Sequence, residues 1–316
     1  MSGNFPFFII NLKTKKTMKK CVFFALAVMV LASCEKAIDP LEIQQHQTNN
    51  SSESEQTVNG KKFTFTVKGD FSTAWKPVTR GYLSADGKDM TDLWVLDYKD
   101  GQLVQQIHQS DNTAEDFGKP SMTLAYGCHH VYFVASRGTL PVLNTEAGTL
   151  TWSSVRDTFW KDYEVTVVST SNGNRAVTLD RVVTKINLAF TDAISADAAT
   201  INFTPETWYY GLNYKTGEPT AATVSQTNVM NVPSGYAGRT DVSISYFGIS
   251  PSTEWVTDVT VNSMDADGNI IGQGVMEDVP LKRNRVTEYS GPLFTAGGEV
   301  TLTLNGTWET SETGTW

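Results

Sequence analysis

The chain has 316 residues, 40% hydrophobic and 19% charged, with 34 acids against 25 bases and a formal net charge of −9. That charge density is too low for a disordered or coiled-coil chain, and the acidity opposes the basic footprint that nucleic-acid binding needs. The length suits one large or two ordinary domains, and eight Trp, eleven Tyr and abundant Thr, Val and Gly favour strands joined by turns.

Met18-Lys19-Lys20 opens a positive segment, and Cys21 to Ala32 is an uncharged apolar run of twelve residues. A membrane-spanning helix needs about 20 residues, whereas a signal-peptide core needs roughly 7–15. The run closes on Leu31-Ala32-Ser33-Cys34. A small residue before a cysteine resembles the lipobox of bacterial lipoproteins, which implies acylation of Cys34 and removal of residues 1–33. An ordinary secretory signal with an incidental cysteine is the plain alternative. Residues 1–17 make a poor signal start, so Met18 is the expected initiator. Residues 1–33 hold five lysines and no acid; without them the chain has 20 bases against 34 acids, a net charge of −14. Nucleic acid and anionic headgroups would repel it, so membrane attachment falls to the lipid on Cys34. Cys128 is then the one cysteine left for the fold, and no intramolecular disulfide can form.

Residues 34–59 read as the lipidated cysteine and a polar, flexible tether. From Lys61 the pattern changes. Phe63, Phe65 and Val67 alternate with Thr64, Thr66 and Lys68, the period-2 signature of a half-buried strand. Leu93 to Tyr98 and Gln102 to Ile107 flank Asp100-Gly101, a strong hairpin signal because both turn positions tolerate positive φ. Asp111 to Phe117 is a candidate short helix. Strands are then expected at 131–135, 163–168, 182–190, 199–203, 242–247, 256–261 and 270–271, and Val300, Leu302 and Leu304 alternate with Thr301 and Thr303 near the end. About a dozen strands without a convincing helical window predict an all-β fold of two β-sandwiches in tandem. The Asn172-Gly173 turn before a fresh strand places the division between 60–178 and 179–316.

Catalytic signals are poor. Cys128-His129-His130 is a cluster of the right residue types, but zinc sites need well-spaced ligands, and strand parity puts Cys128 and His130 on one face and His129 on the other. A strand entry before Val131 explains it as well. Ser263 to Gly268 superficially resembles a calcium loop, yet Ser263 and Gly274 stand where that loop wants Asp and Glu, so a hairpin turn is expected. No phosphate loop, nucleophile elbow or zinc-protease helix motif is present, and no cofactor, metal site or catalytic residue is expected. Trp152, Phe159, Trp160 and Trp208-Tyr209-Tyr210 could stack on sugars or fill a core. The last run, forced to turn one ring off a core face, is the best exposed patch. Arg80-Gly81, in a turn-prone segment, suits cleavage by a trypsin-like protease, although taken alone a plain surface arginine is the simpler reading.

The order of several runs resembles the fimbrillin-like lipoproteins of Bacteroidetes, subunits of type V pili. These runs are Leu31 to Cys34, Val78-Thr79-Arg80, Met90 to Tyr98, His130 to Ala135, Leu179 to Ile186, Pro280 to Thr287 and Leu293-Phe294-Thr295. The resemblance implies two transthyretin-like β-sandwich domains and no enzyme activity. It implies a cell-surface, lipid-anchored place at the outer membrane or in the fimbrium, with other fimbrial subunits, identical or paralogous, as partners. It also implies trimming by an arginine-specific protease at Arg80 and Gly81, which would free the strand of Phe63, Phe65 and Val67. A neighbour's terminal strand would refill the slot, and Val300, Leu302 and Leu304, or the tail beyond them, are the donor candidates. Anchor, shaft and tip roles stay open, and a surface lipoprotein binding glycans through exposed Trp and Tyr is the competing expectation.

Overall fold

The computed structural model describes residues 59–69, 81–82, 90–220, 223–224, 226–294, 299–301 and 303–304. These residues form strands and turns, with one short 3-10 turn at Ser234–Tyr236 and no α-helix. Among them no helix is long and apolar enough to cross a membrane. The fold is all-β.

The first strands are β1 (Gly60–Gly69), β2 (Gly81–Tyr82), β3 (Asp92–Lys99), β4 (Gln102–Gln109), β5 (Ser121–Ala125) and β6 (Gly127–Ser136). They are followed by β7 (Val142–Asn144), β8 (Thr149–Thr151), β9 (Thr158–Val167) and β10 (Asn174–Arg181). A seven-stranded sheet runs in the order β4-β3-β6-β9-β10-β1-β5. Pairing passes from β9 to β10 only at Asp180↔Trp160 and Arg181↔Phe159, so the sheet folds over there. Phe65 of β1 then meets Phe133 of β6 edge-on, ring centres 5.1 Å apart. The core between the layers includes Phe63, Phe65, Val95, Leu124, Phe133, Phe159 and Leu179. Asp100 (φ 52°) and Gly101 (φ 79°) make the expected hairpin turn between β3 and β4.

The chain continues with β11 (Val183–Phe190), β12 (Thr200–Pro205), β13 (Thr207–Trp208), β14 (Gly211–Asn213), β15 (Glu218–Pro219), β16 (Thr223–Val224) and β17 (Asn228–Asn231). It ends with β18 (Val242–Ile249), β19 (Trp255–Met264), β20 (Ile270–Leu281), β21 (Val286–Gly291), β22 (Glu299–Thr301) and β23 (Thr303–Leu304). Two five-stranded sheets, β2-β18-β11-β21-β23 and β17-β12-β19-β20-β22, face each other across Phe203 and Tyr246, whose rings stack at 4.0 Å. A four-stranded sheet, β15-β14-β8-β7, and the pair β13-β16 complete the set.

β3 and β6 are shared between two cores. Leu93, Val95, Val131, Phe133 and Ala135 face the first core, whereas Leu96, Tyr98, Tyr132 and Val134 pack into the cluster built on β11, β12, β18 and β19. Period-2 geometry sends alternate side chains to opposite faces, so these strands are buried on both.

Two expectations change, and one expected strand is buried on both faces. Asp111 to Phe117 is a series of turns, not a helix: the Asp111 carboxylate accepts hydrogen bonds from the Thr113 amide and hydroxyl, offering the backbone a local alternative to helical pairing. The strand expected at 182–190 forms as β11, and every residue of it is buried, Lys185 and Asn187 included. The Trp208-Tyr209-Tyr210 patch is not exposed. Trp208 and Tyr210 are buried in the core and Tyr209 packs against it, edge-on to Trp255 at 5.2 Å. Strand parity does not apply there, because β13 ends at Trp208 and the chain crosses between sheets before β14. Trp152 and Phe159 are buried as well, and Trp160 donates its indole N–H to the Tyr214 carbonyl (2.7 Å). The competing core reading of these aromatics is the one the fold adopts.

Candidate functional site

β1 is held on both sides. Gly60 to Thr64 run antiparallel to β5, with Phe63 opposite Met122, and Thr64 to Gly69 run parallel to β10, with Phe65 opposite Arg175. The Thr64 amide donates to the Gly173 carbonyl (2.7 Å), Phe65 to Pro120 (2.9 Å) and Val67 to Gly118 (2.8 Å). The sequence explains the seating. Phe63 and Phe65 alternate inward and are fully buried, worth about 1.5–3 kcal/mol each, while Val67 packs partly buried at the end of the same core. Phe65 also meets Tyr163 edge-on (5.9 Å), and the Arg175 guanidinium lies over the Phe63 ring at 5.3 Å. Two glycines admit the strand. A Cβ on Gly173 would lie 2.0 Å from the Lys62 carbonyl oxygen, and one on Gly60 would lie 2.3 Å from that of Leu124. Removing β1 would therefore empty an apolar slot and strip pairing from β5 and β10 together.

Of the other residues singled out in the sequence, Cys34, Arg80 and Leu302 lie outside the described residues. Gly81 opens β2 and pairs with Val242 of β18 in parallel register. Val300 sits in β22 opposite Gly274, and Leu304 in β23 opposite Tyr289. β22 and β23 are the outermost strands of the two five-stranded sheets. The structure thus unites Phe63, Phe65 and Val67 in one core and places Val300 and Leu304 on separate sheet edges.

The Cys128-His129-His130 cluster splits as strand parity requires. Cys128 and His130 are exposed on one face of β6. His129 is buried on the other, its Nδ1 2.7 Å from the Asp97 carboxylate and its Nε2–H donating to the Ala125 carbonyl (2.9 Å). A second pair, His108 and Asp92, lies 2.5 Å apart beside Trp94, whose ring stacks on His108 at 3.8 Å. Burial pushes the Asp92 and Asp97 carboxyls above the usual carboxylate range, against the pull of their histidines. Asp157 accepts from Arg181 at both oxygens (2.7 and 3.1 Å), with Arg137 3.6 Å away and Asn284 accepting a further Arg181 N–H at 3.1 Å. Sequence reading missed these pairs. The available signal was a charged residue inside an apolar run, Asp97 in Leu93 to Tyr98 and Arg181 before Val182-Val183. At Ser263 to Gly268 the Asp265 carboxylate accepts from the backbone of Asp267 and Asn269, closing the plain hairpin turn between β19 and β20.

A family model described as a family of unknown function, DUF6562, matches residues 142–315. No curated protein matches the chain. Among solved structures, a candidate adhesin from Bacteroides ovatus is 11% identical at a TM-score of 0.49, over 83% of this chain and all of that one. A candidate cell adhesion protein from Bacteroides fragilis is 9% identical at 0.42, over 80% and 99%. The fimbrial anchor protein Mfa2 from Porphyromonas gingivalis is 9% identical at 0.37, over 73% and 90%.

Proposed function

We propose that this chain, which belongs to the DUF6562 family of unknown function, is a non-enzymatic subunit of cell-surface fimbriae that supports adhesion. In this reading it leaves the cell as a lipoprotein, loses residues 1–33, and is held at the outer membrane by lipid on Cys34. Two sandwich domains, 60–178 and 179–316, make up the building block. An arginine-specific or trypsin-like protease cuts at Arg80-Gly81, β1 leaves, and the terminal strand of another fimbrial subunit, identical or paralogous, fills the slot.

The observation that carries this reading is the seating of β1. It is an interior strand that supplies two fully buried phenylalanines, and in the chain ten residues, 70–79, separate its end at Gly69 from Arg80. An emptied slot exposes paired-strand edges and apolar surface at once, and an added strand satisfies both. Val300 and Leu304 supply donor candidates, since β22 and β23 lie on sheet edges, beside β20 and β21. Burial of Trp208 and Tyr210 removes the feature on which glycan binding was expected to depend.

The test is limited trypsin digestion of the full chain, with the product mass and its assembly followed together. The expected product begins at Gly81 and forms ladders on a denaturant-resistant gel, whereas Arg80→Ala stays folded and monomeric. Ladders from Arg80→Ala would sink strand exchange at this bond.

A further inference from the structure

β6 and β9 bring together three side chains that the sequence keeps apart. In their antiparallel register His130 faces Glu164 directly and Tyr132 faces Asp162, so His130, Asp162 and Glu164 share one face. His130 Nδ1 lies 3.1 Å from both oxygens of Asp162 and 4.0 Å from Oε1 of Glu164. All three donor atoms fall within 4.8 Å of one another. We propose that His130, Asp162 and Glu164 bind a divalent transition-metal ion, zinc by ligand chemistry, through three protein donors with a fourth position open to solvent.

The spacing fits. Bonds of about 2.0–2.2 Å in tetrahedral geometry separate donors by roughly 3.3–3.6 Å. The distances of 3.1 and 4.0 Å straddle that value, so an ion seats with small side-chain rotations. The donor set selects the metal: calcium and magnesium take oxygen ligands, and an imidazole nitrogen beside two carboxylates suits zinc. Two of the ligands are oriented: the half-exposed His130 ring lies nearly parallel to Tyr132, 15° apart with centres at 6.0 Å, and the Asp162 side chain is only 23% exposed, whereas Glu164 is exposed. The neighbouring cation on β9, Lys161, falls on the opposite face by strand parity and binds Asp180 at 2.9 Å.

Titration of the metal-stripped full chain with zinc alone tests the site, with the exposed thiol removed in a Cys128→Ser background. One saturable site is expected in that background. His130→Gln and Asp162→Asn should each weaken it about tenfold or more, with an unchanged far-UV circular dichroism spectrum. Equal affinity in His130→Gln overturns the assignment, as does the absence of saturable binding. Loss of the site on Cys128→Ser alone does so too, because it would make the thiol the anchoring ligand.

Discussion

Asp157 lies buried between two arginines, with Arg181 gripping both of its oxygens and stacking over Phe159 at 5.0 Å. Such a pair gains little over a well-packed apolar substitute, but breaking it is costly, because the surviving buried charge loses the carboxylate that neutralised it. Asp157→Ala leaves Arg181, whose side chain is only 4% exposed, with its Asn284 hydrogen bond and the Phe159 ring but without the Asp157 carboxylate. We expect a loss of about 3–5 kcal/mol, measured as a lower urea midpoint at unchanged slope. A shift under about 1 kcal/mol would mean that the pair behaves as if solvated. In sequence, the apolar Val182-Val183 beside Arg181 hints at its burial, but its partner was illegible because Asp157 lies just before another strand. The His130, Asp162 and Glu164 group was half-legible: parity set Cys128 and His130 on one face, but only the β6–β9 register supplies the carboxylates.

At the level of elements, the hairpin of β3 and β4 was legible because Asp100-Gly101 carries its own conformational reason. The burial of β11 was not. Its Val182 to Phe190 pattern alternates as a half-buried strand does, yet the polar face is covered too. There Asn187 donates to Glu288 (3.0 Å) and accepts from Ser245 (3.1 Å), and Lys185 lies over the Phe247 ring at 5.3 Å. Alternation reports a difference in polarity between faces, and satisfied polar groups can be buried as well as solvated. The contact of β1 with β10 yields a sharper expectation. Gly173→Ala places a methyl carbon against the Lys62 carbonyl, where backbone must move rather than a flexible side chain. We expect about 1–3 kcal/mol of local destabilisation, seen as faster hydrogen exchange at the Thr64 and Phe65 amides while β19 and β20 keep their protection. Uniform protection across both sheets would show that Gly173 has room to adjust.

For the whole molecule, the deciding feature is the double duty of β3 and β6. Large β proteins often melt in stages, since each sandwich owns a core. Here one face of β3 and β6 closes the core around Phe65, and the other face joins the core around Leu188 and Tyr246. Losing either core exposes the back of strands on which the other depends. Polar ties reinforce the connection. The Tyr98 and Tyr214 hydroxyls lie 2.7 Å apart, Trp160 donates to the Tyr214 carbonyl, and the Trp152 amide donates to Tyr210 (2.9 Å). Burial and the Tyr98 contact push the Tyr214 hydroxyl far up, so it stays protonated and the pair persists across the ordinary pH range. The described residues from Asn59 onward form one compact unit. A single cooperative unfolding transition is therefore expected, with far-UV circular dichroism and tryptophan fluorescence sharing one midpoint. Phe133→Ala, which opens a cavity in the first core at about 3–5 kcal/mol, should lower both signals together. If that variant instead split the transition in two, β3 and β6 would not be transmitting stability between the cores, and the shared faces would be mere contact.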